Sequence, residues 1–147
     1  MSKTITARDL HINLDTLNEE GLFKWLIASF LMGKRIQGEI AAQAYRVIVG
    51  KHQCDTPGKL ARRSHRQMVS MLGEAHYVRY DESTAQRLLA LANKLNQQYA
   101  GKVMNMLEAS ADRREFEARL SSFEGIGPKT VEIFMREAMK VIEPVVG

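Results

Sequence analysis

"FEGIGPKTVEIF", residues Phe123 to Phe134, sets two glycines around one aliphatic residue and follows them with a proline and a lysine. Glycine has no Cβ, so Gly125 and Gly127 can take positive φ and expose their N–H groups. Ile126 between them can plug the junction of two flanking helices. Pro128 suits a first helical position, where the missing N–H would be unpaired anyway and the fixed φ is already helical. The stretch predicts a tight reversal between two helices, with bare backbone donors at the start of the second. The helix dipole adds about half a positive charge there. Donors and dipole together form a cradle for a phosphate. The structural alternative is a hairpin whose glycines serve close packing alone.

Working outward, the rest of the chain reads as helix. "EEGLFKWLIASFLMGK" is apolar nearly all round, which suits a helix in the middle of a bundle. "IQGEIAAQAYRVIVGKH" turns Ile40, Ala44, Val47 and Ile48 inward. Thr56 and Pro57 form a helix start, as cap and first residue. A further helix begins at Ser64, with Gly73 as its expected stop. The longest runs from a cap at Asp81, through a stripe of Leu88, Ala92, Leu95 and Tyr99, to Gly101. A loop and turn are expected around "VMNML". Phe116, Leu120 and Phe123 stripe the helix before the hairpin; Val131, Phe134, Met135 and Ala138 stripe the one after it. Strand signals are weak. The expectation is an all-α single domain, a compact bundle or barrel of about seven helices. Residues 1–18 form an N-terminal arm, residues 19–142 the barrel, and residues 112–141 the hairpin motif.

The 147 residues suffice for one domain with a real core. No apolar run approaches the roughly 20 residues of a membrane span, so no membrane partner is expected. The N-terminus lacks the layout of a signal peptide, which predicts a cytoplasmic protein. Cys54 is the single cysteine. It excludes an internal disulfide and an iron–sulfur cluster on four thiolates of this chain. Net charge is +4, and residues 34–80 carry nine Lys/Arg against three acidic residues. The densest block is "KLARRSHR", Lys59 to Arg66. A cationic surface releases counterions from nucleic acid on contact, so the block favours a polyanionic partner; a merely solvated basic face is the other reading. His76, Tyr77 and Tyr80 can stack on bases or pack.

"EGIGPKT" resembles the helix-hairpin-helix motif of the endonuclease III-type DNA glycosylase superfamily. The likeness runs upstream in order through "LFKWLIASFLMGKR", "TPGKLARRSHRQMVSMLG" and "YVRYDESTAQRLLALANKL" followed by "YAGKV", so it spans about residues 20–142. It implies a six-helix barrel and binding of DNA through Gly125, Ile126, Gly127, Pro128, Lys129 and Thr130. Lys34 and Arg35 stand near the position from which the family inserts a glutamine beside the base. Arg62, Arg63 and Arg66 are further candidate DNA contacts. The resemblance implies no cofactor beyond a Na⁺ or K⁺ ion at the hairpin carbonyls, around Phe123 and Gly125.

In the family's bifunctional members the lysine matched by Lys129 is the nucleophile. Its neutral amine attacks the sugar carbon, displaces the base and leaves a Schiff base. The chain departs from the pattern at three points. "EPVVG" stands where an essential aspartate is expected, and no aspartate follows Asp112. "MGKRIQG" replaces the base-extruding segment, with Gln37 out of register. A second lobe is not represented. Three functions follow. One is a DNA-binding module related to base-excision repair. The second is a minimal glycosylase or abasic-site lyase using Lys129. The third is a protein-interaction module, in which a second copy or another protein covers an open barrel face.

Overall fold

The computed structural model describes residues 4–146. Eight α-helices follow one another among these residues: α1 (Glu19–Met32), α2 (Gly38–Tyr45), α3 (Pro57–Ala61), α4 (His65–Glu74), α5 (Asp81–Tyr99), α6 (Val103–Glu108), α7 (Arg113–Ser121) and α8 (Pro128–Val146). A 3₁₀ turn at Arg8–Leu10 precedes them, and a π-helical turn at Arg46–Lys51 continues α2. No strand occurs among the described residues. The fold is all-α.

Helix α1 lies at the centre. Leu22, Trp25, Leu26, Ile27, Phe30 and Leu31 are all buried, and the helix packs on α2, α6 and α8. A helix apolar on every side has no other stable place, because each exposed face would cost hydrophobic free energy. Two polar atoms tie it to its neighbours. The Trp25 indole N–H donates to the Phe134 carbonyl on α8 at 3.0 Å. The Tyr77 hydroxyl donates to the Leu31 carbonyl at 3.1 Å. Glu19, in the first turn of α1, accepts from Val103 N–H and Met104 N–H, both at 2.8 Å, and so caps α6. Ile5, Ala7, Leu10, Ile12 and Leu14 enter the same core, so the segment set apart as an arm packs onto the body.

The expected start signals at Thr56 and Ser64 are present. Thr56 Oγ1 accepts from Lys59 N–H, and Ser64 forms a reciprocal capping box with Gln67. Three expectations are corrected. Gly73 does not end α4, which runs to Glu74 and closes at Ala75. Glycine is only a mild helix breaker, and the buried neighbours Met71 and Leu72 hold the turn. Asp81 is not the cap of α5 but its first residue. Tyr80, left-handed at φ 66°, holds the cap position. "VMNML" lies in a short helix, α6, because the Glu19 carboxylate satisfies its first N–H groups.

No helix among the described residues is long and apolar enough to cross a membrane. The large apolar side chains left exposed among them are Val78, Tyr80 and Val145. Cys54 is buried and unpaired in any disulfide.

Candidate functional site

The hairpin forms as its residues dictate. Asp112 caps α7 by accepting from Glu115 N–H at 2.9 Å. Phe116, Leu120 and Phe123 face the core, and Ile126 plugs it, 5 % exposed. Ile126 N–H donates to the Phe123 carbonyl at 3.1 Å and closes the turn. Gly127 precedes α8, and its carbonyl accepts the first bond of that helix from Val131 N–H at 3.1 Å.

The two glycines differ. Gly125 stands at φ +87°, and a Cβ there would lie 2.8 Å from Arg87 Cδ and 3.1 Å from Phe30 Cε2. Both backbone and packing demand glycine. Gly127 does not take positive φ, which corrects the expectation for that residue. A Cβ on it would meet nothing within 4 Å. Packing does not require glycine at position 127; it stands at the cap of α8, where glycine is among the favoured residues.

Residues Gly125–Thr130 line one pocket of about 440 Å³ together with Gly33 and Lys34. The N–H groups of Gly127, Lys129 and Thr130 make no hydrogen bond among the described residues. Lys129 is exposed at the mouth. Lys34 crosses from the end of α1 and donates to the Gly125 carbonyl at 3.3 Å, with its ammonium 5.4 Å from the centre of the Phe30 ring. Burial, and then the charge of Arg87, hold its amine below the ordinary lysine range. No carboxylate lines the pocket. Free N–H donors, a helix N-terminus and two ammonium groups that make no ion pair among the described residues can accept an oxyanion such as a phosphate.

The expected residues divide into three groups. Gly125, Gly127, Pro128, Lys129 and Lys34 converge on the pocket. Ile126 and Thr130 line it but hold it from behind: Thr130 is 2 % exposed. Arg35 is exposed and outside it. Arg62 and Arg63 line a separate depression with His52, Gln53, Lys59 and Gln67. Arg63 is partly spent there, donating to the His52 carbonyl at 3.0 Å. Arg62 and Arg66 are exposed. Tyr77 is fully buried, its hydroxyl pushed up to about 12 by that burial, so it stacks on nothing outside the chain.

The resemblance expects a Na⁺ or K⁺ ion at the carbonyls of Phe123 and Gly125. The Phe123 carbonyl already accepts the Ile126 N–H, and the Gly125 carbonyl already accepts an ammonium. A cation there would use the remaining lone pair of each oxygen and would meet the charge of Lys34. Three contributors to the site escaped the sequence reading. Gly33 lets α1 approach Thr130, Arg87 flanks Gly125, and Lys94 donates to Ser122 O and Oγ, both at 2.8 Å. Arg87 and Lys94 are seven residues apart on α5, a helical spacing that places both on the hairpin side.

Comparison of the chain with protein-family models, with curated proteins and with solved structures finds no match.

Proposed function

We propose that the chain is a DNA-binding domain of helix-hairpin-helix type, related to the endonuclease III-like glycosylases of base-excision repair. Residues Gly125–Thr130 grip the phosphate backbone. The observation that carries this reading is one pocket lined by three residues whose N–H groups are unpaired and by two lysines, with no carboxylate among the described residues that line it. The open side of Gly127 is compatible with it, since a Cβ-free cap leaves room for a phosphate to approach the backbone. The excess charge of residues 34–80 adds long-range attraction. Binding is favoured over chemistry because no carboxylate in the pocket can manage the protons of a Schiff-base reaction.

Fluorescence anisotropy on a labelled DNA duplex tests the reading. Affinity is expected to fall steeply with salt, with log K declining by about 0.9 per phosphate contact against log[salt]. Absence of binding at low salt overturns it.

A further inference from the structure

Beside the hairpin, α5 presents a cation that the pocket does not use. Arg87 lays its stem along Gly125, with Cδ and Cγ 2.8 and 3.4 Å from the place a Cβ would occupy. Its Nε faces Glu124 Oε1 at 3.7 Å, beyond hydrogen-bond reach. Its two terminal nitrogens make no hydrogen bond among the described residues. The Glu124 side chain is 60 % exposed, and so loose and wet a pair contributes little to stability. Arg87 also lies close enough to Lys34 for its charge to be felt there. Two cations held near one another repel, and one distant carboxylate relieves that poorly. Lys94 is different: it is occupied by Ser122 and lies 4.5 Å from the centre of the Phe123 ring. Arg87 is therefore the cation of the pair with donors to spare.

We propose that Arg87 is a second backbone contact of the DNA surface: it takes the phosphate next to the one in the hairpin pocket, and Glu124 competes with DNA for its guanidinium. The planar fork suits two phosphate oxygens, and its position over Gly125 puts it along a strand already anchored at Gly127. This inference rests on the phosphate reading of the hairpin.

Anisotropy titrations of the full chain on a labelled DNA duplex, at several salt concentrations, test it. Arg87→Gln is expected to weaken binding and to flatten the salt slope by about 0.9. Glu124→Gln is expected to tighten binding several-fold at low salt, and the double variant to lose that gain. Arg87→Lys keeps the charge without the fork, so it should keep the slope and lose part of the affinity. Thermal melts establish that each variant is folded. The inference is overturned if Arg87→Gln leaves affinity and slope unchanged, or if the gain from Glu124→Gln survives in the Arg87→Gln background. Gly127→Asp separates the two failures. If it binds like wild type, the hairpin reading itself is wrong; if it loses binding while Arg87→Gln does not, only the role of Arg87 falls.

Discussion

Gly33 and Thr130 meet at the base of the pocket so closely that a Cβ on Gly33 would lie 2.0 Å from Thr130 Oγ1. This contact joins the end of α1 to the start of α8 and sets the distance between Lys34 and the hairpin. Gly33→Ala must push the two helices apart, at a cost of about 1–3 kcal/mol in urea unfolding. Thr130→Ala removes the obstructing oxygen, so the double variant should regain most of that loss. Equal stability of the single and double variants would contradict the contact.

Gly125 and Gly127 should respond in opposite ways. Gly125→Ala places a side chain at φ +87° against Arg87 and Phe30, and is expected to cost about 1–3 kcal/mol. Gly127→Asp fills empty space at a helix cap, where aspartate is preferred, and stability should hold or rise by a few tenths of a kcal/mol. Its charge faces the phosphate, so DNA binding should be lost. Thermal melts and anisotropy on the same samples check both halves.

Lys34→Met should separate stability from binding. The folded protein holds the Lys34 proton less tightly than the unfolded chain does. The charge therefore costs stability at neutral pH, and the cost lifts as pH rises from the lowered value towards 10.5. Methionine packs against Phe30 without that cost. Unfolding of Lys34→Met should be no easier than wild type near neutral pH, and its stability should rise less towards pH 10.5. DNA affinity should drop and the salt slope flatten.

Lys34 also supplies the positive charge that a bound monovalent ion would bring to the Gly125 carbonyl. DNA affinity is accordingly expected to be equal in lithium, sodium and potassium chloride at matched ionic strength. A marked preference for potassium would place such an ion at the hairpin.

Borohydride trapping on DNA with an abasic site addresses Lys129. The binding account predicts no covalent adduct that Lys129→Ala abolishes. Such an adduct would make the chain a lyase, with the proton taken up from outside the pocket.

Most of the hairpin is legible in the sequence because its residues have local reasons, although Gly127 does not take the positive φ expected of it. Pro128 fits a first helical turn, Ile126 is an apolar plug, and Gly125 meets a positive φ. Charge and position alone mark Lys34 in the sequence; its bond to Gly125 depends on how α1 crosses α8. Gly33 carries no local mark, since its purpose lies with Thr130, far along the chain. Glu19 reads as an ordinary acidic residue at a helix start, and only packing brings the first N–H groups of α6 before it. That is why "VMNML" looked like a turn: short helices owe their stability to such tertiary partners rather than to propensity. The block around Arg62 and Arg66 was legible as charge, while its separation from the hairpin was not, because that depends on the order in which the helices stack.

Amide chemical-shift mapping tests the central claim most directly. On titration with a DNA duplex, the largest shifts are expected at Gly127, Lys129 and Thr130, with smaller ones at Lys34 and Arg87. Shifts centred on Lys59–Arg66 with a silent hairpin, or no shifts at all, would contradict the account.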